Sequence, residues 1–328
     1  MRLLVTGGAG FIGSHYVRTL LTGGYPGYAD ATVTVLDKLT YAGNLANLDP
    51  VAGRFAFVHG DICDAALLAG VLPGHDVVVN FAAETHVDRS ITGPAEFVAT
   101  NAAGVQVLLD ACRLASVRRV VHVSTDEVYG SIAAGSWTET APLDPSSPYS
   151  AAKAGGDLLA LAYARTYGMH VSVTRCCNNY GPYQYPEKVI PLFVTNLLDG
   201  KPVPLYGDGR NVRDWLHVDD HCRGIQLVLS RGEAGRVYHV SGDTELANRD
   251  LTAAILGACG ASWDMVVPVA DRPGHDLRYS LDDSLLRSMG YAPRISFPEG
   301  LKATVEWYAA NRSWWEPLPR PLPPERTS

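Results

Sequence analysis

An α/β fold built on a doubly wound parallel sheet is the architecture that the sequence predicts. Short apolar segments alternate with segments of helical periodicity through the first half of the chain, as expected for strands joined by crossover helices. Several apolar segments are nearly continuous rather than alternating in polarity, which is typical of strands covered on both faces. A glycine-rich turn directly follows the first of them. These features favour parallel strands with helices on both sides of the sheet.

The predicted elements follow one another from the N-terminus. The candidate strands are apolar or β-branched runs at residues 2–6, 32–36, 55–59, 76–81 and 119–124. The candidate helices carry apolar residues at helical spacing and lie at residues 11–21, 65–72, 94–115 and 148–167. Glycines end the first strand, Asp37 follows the second, and Gly60 and Asp61 follow the third. Polar and flexible residues are therefore expected at one edge of the sheet.

The pattern loosens after about residue 178, where glycine, proline and aromatic residues cluster. Segments near 215–241 are expected to return to the sheet, and the rest of 178–314 to form a smaller C-terminal substrate-binding α/β cap. This divides the chain into a first domain at residues 1–177, the cap at 178–314 and a tail at 315–328. Residues 317–328 of the tail are rich in proline and charge and lack apolar periodicity, so we expect them to be disordered or loosely packed.

Composition narrows the class of protein. The 328 residues suffice for one large or two modest domains, and 47% of them are hydrophobic, so a substantial core is expected. The net charge of −7 argues against nucleic-acid binding, which usually requires a basic face. The start of the sequence does not resemble a signal peptide and no run of ~20 apolar residues is present, so we expect neither a cleaved leader nor a membrane span. Its six cysteines are scattered, so we expect buried thiols in a cytoplasmic protein. Neither they nor the histidines have zinc-ligand spacing, and no metal site is predicted.

The first candidate site is the turn Gly7-Gly8-Ala9-Gly10-Phe11-Ile12-Gly13. Glycines permit a tight turn and let a pyrophosphate approach the backbone, while the N–H groups at the start of the next helix point at the phosphates. A glycine motif alone is weak, but this one follows a strand and opens a helix. It therefore predicts a Rossmann-type dinucleotide-binding domain.

Asp37 ends the second strand, 24 residues after Gly13. A carboxylate there can accept hydrogen bonds from both ribose hydroxyls and would repel a 2′-phosphate, so NAD is favoured over NADP. Lys38 weakens this preference slightly, because a neighbouring cation could soften the repulsion. Asp61 and Ile62 follow the third strand and are placed to meet the adenine, although Asp61 could equally be a helix N-cap.

Tyr149 and Lys153 have the Tyr-x-x-x-Lys spacing at the start of a predicted helix, so they lie on one helical face. A free tyrosine has a pKa of about 10 and little phenolate at neutral pH. A nearby ammonium and a positive nicotinamide ring would favour the phenolate and make it a usable base. The spacing means little alone, but here it follows a dinucleotide-binding loop and a strand ending Val123-Ser124-Thr125.

The chain resembles the extended short-chain dehydrogenase/reductase superfamily, and within it the nucleoside-diphosphate-glucose 4,6-dehydratases, in particular the dTDP-glucose enzymes. The resemblance extends from Met1 to about Trp314. Its most specific stretches lie at residues 82–90, 124–130, 178–183 and 271–276. One departure is Thr85, where the family usually has serine, and little effect is expected because the hydroxyl group remains.

The resemblance implies roles for the acidic pair after Thr125. Oxidation of a sugar at C4 makes the C5 hydrogen acidic, and loss of water across C5–C6 then needs a base for that proton and an acid for the departing hydroxyl. Two adjacent carboxyl groups can supply both if their environments separate their pKa values. The family pattern assigns the acid to Asp126, the base to Glu127 and a hydrogen bond to the C4 oxygen to Thr125. Since hydride returns to C6 in each cycle, NAD is expected to stay bound.

Further contacts follow from matching family positions. Besides the residues already named, those implied for the cofactor are Lys38, Leu39, Thr40, Phe81, Ala82, Ala83, Thr85, Thr100 and Asn179. Those implied for the nucleotide sugar are Thr85, Thr125, Asn178, Lys188, Val189, Pro204, Leu205, Tyr206, Arg213, Asn248, Asp271, Arg272, Pro273, Gly274 and His275. Arginines can make bidentate phosphate contacts, and Tyr206 offers a ring face to a base.

The two long helices predicted at residues 94–115 and 148–167 are apolar on more than one face. In relatives such helices pair across a two-fold axis as a four-helix bundle, so a homodimer is expected.

Two other functions share part of this pattern. A sugar-nucleotide 4-epimerase would have the same glycines, Asp37, Tyr149 and Lys153, but has no evident use for Asp126 and Glu127. A catalytically silent NAD-binding sensor would tolerate loss of the catalytic residues, all of which are present. The sequence leaves open which base the diphosphate carries and whether the product serves a cell-surface polysaccharide or a secondary metabolite.

Overall fold

A seven-stranded, entirely parallel sheet forms the centre of the protein in a computed structural model that describes residues 1–271 and 274–321. The strand order is β10-β6-β5-β4-β1-β2-β3, which is the doubly wound Rossmann-type arrangement with its reversal beside β1. The strands of the described chain are β1 (Arg2–Thr6), β2 (Thr32–Asp37), β3 (Ala56–His59), β4 (Val77–Asn80), β5 (Arg119–Thr125), β6 (Val171–Cys176), β7 (Asn178–Tyr180), β8 (Val203–Tyr206), β9 (Val212–His217), β10 (Val237–Val240), β11 (Glu245–Ala247) and β12 (Val266–Val269).

Helices connect and cover the strands. They are α1 (Phe11–Leu21), α2 (Ala65–Val71), α3 (Val87–Thr92), α4 (Pro94–Val98), α5 (Val105–Leu114), α6 (Pro148–Tyr167), α7 (Val189–Leu198), α8 (Val218–Arg231), α9 (Asn248–Cys259), α10 (Ser284–Ser288), α11 (Phe297–Ala310) and α12 (Arg312–Trp315). A π-helical segment, Ala99–Gly104, joins α4 to α5, and 3₁₀ segments lie at Leu45–Val51, Asp126–Tyr129 and Trp263–Met265.

Alternate side chains of the central strands enter two separate cores. Leu3 and Val5 of β1 pack with α1 and α8 on one face, whereas Leu4 packs with α5 and α6 on the other. This is why the strands read as continuous apolar runs, since each face of the sheet is covered by helices. The fold class predicted from the sequence is confirmed, and most predicted strands and helices lie within two residues of the observed bounds. The single helix predicted at residues 94–115 is instead divided into α4, the π-helical segment Ala99–Gly104 and α5.

Helix α6 has strong local signals at both ends. Ser147 and Ser150 form a reciprocal capping box at the N-terminus, and Pro148 occupies the first turn. Gly168 ends the helix in the left-handed conformation, with a φ of 66°. These signals fix where Tyr149 and Lys153 enter the helix.

The cap has its own core and two small sheets, β11-β9-β7 and β12-β8. Helices α7, α9 and α11 bury apolar side chains such as Phe193, Ile255 and Tyr308 against these strands. Segment 215–241 supplies the end of β9, helix α8 and strand β10, and β10 is the edge strand of the large sheet.

The part of the tail that the structure describes is packed against the rest of the protein, contrary to the expectation from the sequence. Trp315 is fully buried, the Tyr185 hydroxyl donates to the Pro319 carbonyl over 3.0 Å, and Arg320 pairs with Asp199 at 2.8 Å. The expectation of a disordered or loosely packed tail is therefore wrong for residues 317–321, because the Pro319 carbonyl and the Arg320 guanidinium are bound by Tyr185 and Asp199 without any periodic pattern in the sequence. Residues 322–328 lie outside the described part of the chain. Among the described helices, none is both long and apolar enough to cross a bilayer.

Candidate active site

A cavity of about 630 Å³ opens along the carboxyl ends of the central strands, between the sheet and the cap. Its wall includes Gly10 after β1, Asp37 at the end of β2, Thr125 at the end of β5 and Arg213 on β9. Ligands of open α/β sheets bind at this edge, outside the carboxyl ends of the strands. The volume lies in the usual range for ligand pockets.

The glycine turn has the shape of a phosphate cradle. Gly7 has a φ of 67°, and a Cβ there would lie 2.6 Å from the Ala82 nitrogen. A Cβ at Gly13 would lie 2.3 Å from the Gly7 carbonyl oxygen. Helix α1 begins just after Gly10, so its first N–H groups face the cavity wall. Glycine at these two positions therefore lets the turn pack closely against the segment after β4 and against the start of α1, which leaves its backbone at the cavity wall, and a dinucleotide fits the residues present.

Asp37 lines the cavity at the end of β2. Its carboxylate accepts backbone hydrogen bonds from Leu39 at 2.8 Å and Ala9 at 2.9 Å, which leave further lone pairs for ribose hydroxyls. Burial raises the pKa of Asp37, while these two hydrogen bonds oppose the shift. The carboxylate is thus held in place by the turn that would bind the pyrophosphate.

Lys38 and Asp61 face each other beside the cavity. The Lys38 ammonium lies 2.8 Å from an Asp61 carboxylate oxygen, so its charge is already matched and does not favour a 2′-phosphate. The other Asp61 oxygen accepts a hydrogen bond from the backbone N–H of Cys63, whereas Asp64 caps helix α2. The N-cap alternative for Asp61 is therefore wrong, and its position beside the cavity wall agrees with an adenine contact.

The acidic pair follows β5 in a tight turn. Asp126 is 2% exposed, accepts a 3.2 Å hydrogen bond from the Thr125 hydroxyl through Oδ1, and has no hydrogen-bond partner at Oδ2 among the described residues. Burial, and then the neighbouring charge of Glu127, raises the pKa of Asp126 well above its usual value. This shift favours the protonated carboxyl group, which is the form that a general acid requires.

Tyr149 and Lys153 both line the cavity from the first turns of α6. The Lys153 ammonium donates to the Val123 carbonyl over 2.7 Å, and burial lowers its pKa while Asp157 opposes that shift. Burial, and then the charge of Glu127, raises the pKa of Tyr149 well above its usual value. The protein environment around Tyr149 thus favours the neutral phenol, because burial is the largest effect on its hydroxyl group. The phenolate that the sequence predicted also depends on the positive nicotinamide ring and stays a prediction.

Arg213 is buried. From the sequence alone, a single arginine would more often be expected to form an ion pair on the surface. Its guanidinium donates to the carbonyl oxygens of Val212 at 2.7 Å and Asp276 at 2.9 Å, and it lies 4.3 Å from the centre of the Tyr279 ring. Such contacts orient the charge toward the cavity, where it also lowers the pKa of Asp126 against the larger effect of burial.

Most residues predicted for the site do line the cavity. Those that do so are Gly7, Gly10, Phe11, Ile12, Gly13, Asp37, Lys38, Thr40, Asp61, Ile62, Phe81, Ala82, Ala83, Thr85, Thr100, Thr125, Asp126, Glu127, Tyr149, Lys153, Asn178, Asn179, Lys188, Val189, Pro204, Leu205, Tyr206, Arg213, Asn248 and His275. Leu39, Asp271 and Gly274 do not line it, although Leu39 bonds Asp37 and Asp271 bonds His275 at 2.6 Å. Arg272 and Pro273 lie outside the described residues.

Sequence reasoning missed a group of residues around Lys188. The Lys188 ammonium donates to the Thr85 carbonyl over 2.8 Å, and Glu187 accepts from the Tyr41 hydroxyl over 2.9 Å. Tyr185 and Glu187 line the cavity beside them. The only signal was their proximity in sequence to Lys188, because the contacts to Tyr41 and Thr85 span more than 100 residues.

At the far end of the cavity, Phe193, Asn196 and Thr252 project from α7 and α9. The sequence offered no means of finding them, since ordinary core positions of two helices become a pocket wall only after the helices pack.

A Rossmann-type sheet, a phosphate cradle and a Tyr-x-x-x-Lys pair at one cavity define a dinucleotide-dependent enzyme of the extended short-chain dehydrogenase/reductase class. The family model for GDP-mannose 4,6 dehydratase matches residues 4–304. A dTDP-glucose 4,6-dehydratase from Streptomyces niveus is 62% identical over 98% of this chain and 96% of its own length. The crystal structure of DesIV, a dTDP-glucose 4,6-dehydratase from Streptomyces venezuelae with NAD and dTDP bound, has a TM-score of 0.96 and 65% identity over 97% of this chain and 100% of that one. The chain belongs to the dTDP-glucose 4,6-dehydratase family.

The fold is shared with sugar epimerases. The UDP-glucose 4-epimerase of Thermus thermophilus, solved with NAD, is 33% identical with a TM-score of 0.87 over 95% of this chain and 100% of that one. The difference between these activities therefore has to lie in the side chains of the site.

Proposed function

We propose that the protein converts dTDP-glucose into the 4-keto-6-deoxy sugar by an NAD-dependent loss of water. The observation that carries this proposal is the buried carboxyl group of Asp126, which directly precedes Glu127 at the cavity wall. The raised pKa of Asp126 gives the pair one proton donor, which is what elimination across C5–C6 requires. The family relationship supports the same function, and the enzyme is a hydro-lyase.

NAD fits the residues of this site. The phosphate cradle would hold its pyrophosphate, Asp37 its adenosine ribose, and Asp61 with Ile62 its adenine. Bound NAD supplies a hydride acceptor for C4 of the sugar and, later in the cycle, a hydride donor for C6. Because the cofactor ends each cycle as it began, tight retention is expected.

The C4 hydroxyl gives up its proton to Tyr149 during the oxidation step. The protein raises the pKa of the phenol, so the positive charge of the oxidised cofactor is needed to oppose burial and allow the phenolate to form. Lys153 adds a second positive charge from a fixed position, since its ammonium is held by the Val123 carbonyl. Thr125 is placed to hydrogen-bond the C4 oxygen.

Elimination follows from the acidity of the C5 hydrogen next to the new ketone. Glu127 takes the C5 proton, and Asp126 gives its proton to the C6 hydroxyl, which leaves as water. Glu127 then returns its proton to C5, and the proton that Tyr149 took from the C4 hydroxyl balances the one that Asp126 gave to the departing water, so all three groups are restored in each cycle. Arg213 and Lys188 would hold the diphosphate, and Tyr206 and Asn248 would contact the base.

The 4-epimerase alternative shares the fold and the tyrosine. Epimerisation needs no proton donor at C6, so it leaves the buried acid without a task. The similarity of the chain to curated dehydratases over nearly its full length favours the dehydratase.

The test is the mass of the product after incubation of the purified protein with dTDP-glucose, with and without added NAD. A product lighter by one water is expected, and activity without added NAD would support a retained cofactor. A product of unchanged mass and altered configuration would show epimerisation instead. The double variant Asp126→Asn, Glu127→Gln should lose dehydration by at least the roughly 10²- to 10⁴-fold typical of acid–base groups, whereas near-parent activity would remove the pair from the mechanism.

We also propose the cytoplasm as the compartment of this protein. All six cysteines are free in the structure, and several are fully buried, which is usual where thiols stay reduced.

A further inference from the structure

The carbonyl oxygen of Ala9, in the middle of the phosphate cradle, is held by the 3₁₀ segment Leu45–Val51. The Asn47 side chain donates to this oxygen through Nδ2 over 2.9 Å, and the backbone N–H of Asn44 donates to it over 3.0 Å. Asn47 is 1% exposed. Its amide therefore acts on the cradle from a position that solvent does not reach.

The other end of the Asn47 amide is held by a residue 267 positions later in the chain. The Trp314 indole N–H, on helix α12, donates to Asn47 Oδ1 over 2.9 Å. With both ends bonded, the amide has one orientation, and Nδ2 points at Ala9. The C-terminal part of the chain thus reaches the cradle through one asparagine.

Arg18 joins the same group from helix α1. Its guanidinium donates to the Asn47 carbonyl and to Ser14 Oγ, and it lies 4.1 Å from the centre of the Tyr183 ring. The Tyr183 ring in turn lies 5.5 Å from that of Trp314. Tyr183 has a φ of 68°, a costly conformation for a side chain of this size, which the surrounding contacts must maintain. Tyr183 leads directly into the cavity residues Gln184 and Tyr185.

We propose that Trp314 is a positioning residue for NAD retention, acting through Asn47 on the Ala9 carbonyl of the phosphate cradle. Release of the dinucleotide requires the cradle to loosen, and the Trp314–Asn47–Ala9 chain of hydrogen bonds opposes that movement. The inference rests on the proposed NAD site, and it adds a residue outside the cavity that sets how long the cofactor stays.

The test compares Trp314→Phe with Trp315→Phe. Both variants keep an aromatic ring and lose the indole N–H together with part of the ring, which in Trp314 packs against Tyr183 and Trp307. The first variant loses the N–H that reaches Asn47, whereas the second loses an indole hydrogen bond of 2.8 Å to the Tyr308 carbonyl at a fully buried residue, so it controls for the lost ring atoms. Bound NAD per chain and its release rate are measured by gel filtration and by exchange against labelled NAD. One lost hydrogen bond is expected to speed release about 2- to 10-fold in Trp314→Phe, with an unchanged kcat when NAD is saturating.

A double-mutant cycle with Asn47→Ala identifies the route. If Trp314 acts through Asn47, the double variant should release NAD at the rate of Asn47→Ala alone. Release from Trp314→Phe at the wild-type rate would overturn the inference, as would equal acceleration by Trp315→Phe. Wild-type protein that neither carries nor takes up NAD would contradict the proposed function as well, so the two failures can be told apart.

Discussion

Asp126 illustrates how function and stability oppose each other at a single residue. Its carboxyl group is buried, beside another carboxylate, with one oxygen lacking a hydrogen-bond partner within the described chain. Burial of an ionisable group is costly to the folded state whenever the group must ionise. A carboxyl group kept protonated for chemistry is therefore expected to reduce the stability of the protein near neutral pH.

Replacing the carboxyl group of Asp126 should remove that cost to the folded state. The pKa of Asp126 in the folded protein lies above its value in the unfolded chain, so the folded state binds the proton more tightly. The stability that the folded state gains from this proton falls as pH rises above about 3.8. Asp126→Asn should therefore gain stability relative to the parent as pH increases through this range. Urea unfolding at several pH values measures the difference. A stability difference that does not depend on pH would show that Asp126 ionises normally.

Arg213 is the residue proposed to hold the diphosphate of the substrate. Arg213→Ala removes charge-assisted contacts to the diphosphate, and the KM for dTDP-glucose should rise about 10- to 100-fold. Arg213→Lys should recover only part of this, because lysine cannot form the bidentate contact. Arg210→Ala is the matched control, since Arg210 lies on the same segment with its side chain 83% exposed. An unchanged KM in Arg213→Ala would remove this residue from the site.

At the scale of elements, helix α6 depends on a buried ionic network. Asp157, one turn after Lys153, is fully buried and pairs with Arg175 of β6 at 2.8 Å, while His122 of β5 lies 3.5 Å away. Burial opposes ionisation of Asp157, but His122 and Arg175 outweigh it and lower the pKa. The network ties the catalytic helix to the two strands beneath it.

Removing one member of this network should be costly. Asp157→Asn leaves the Arg175 charge without its partner, and a loss of about 3–5 kcal/mol in unfolding free energy is expected. Glu306→Gln, which breaks the exposed 3.9 Å pair with Lys302, should change it by less than about 1 kcal/mol. Denaturant unfolding of both variants measures this, and similar small effects would show that the buried pair contributes little.

We propose that the whole molecule is a homodimer, as the sequence predicts. The helices that the sequence assigned to a four-helix bundle expose large apolar side chains, including Val98 at 53%, Leu114 at 76% and Leu158 at 59%. Exposed apolar side chains gathered on neighbouring helices are typical of an interface. This supports the proposed dimer through α4, α5 and α6.

Light scattering at micromolar concentration should give twice the chain mass of 35.2 kDa. Val98→Glu combined with Leu158→Glu should shift the protein to monomer, because both charges would be buried in the interface. Trp263→Glu, at a residue 42% exposed on a different surface, should leave the dimer intact. A wild-type monomer would contradict the proposal.

The features that could be predicted from the sequence are those that have a local signal in it. Strand and helix bounds followed from apolar runs and caps, since neighbouring residues alone determine them. The phosphate turn, Asp37 and the Tyr149–Lys153 pair were also predictable, because each motif lies within one strand–turn–helix unit or at the end of one strand. The roles of Asp126 and Glu127 came instead from the family resemblance, since the sequence alone shows only two carboxyl groups after a strand.

Tertiary packing decided the rest. Glu187 meets Tyr41, and Trp314 meets Asn47, only once the cap has folded onto the sheet. The pKa shifts of Asp126 and Tyr149 also depend on the folded structure, because they follow from burial rather than from residue type. The sequence by itself thus determined which chemical groups stand at the ends of the strands, because chain order places them there. Only the folded structure decided which of them are desolvated and what braces them, because burial and long-range contacts arise from elements far apart in the chain.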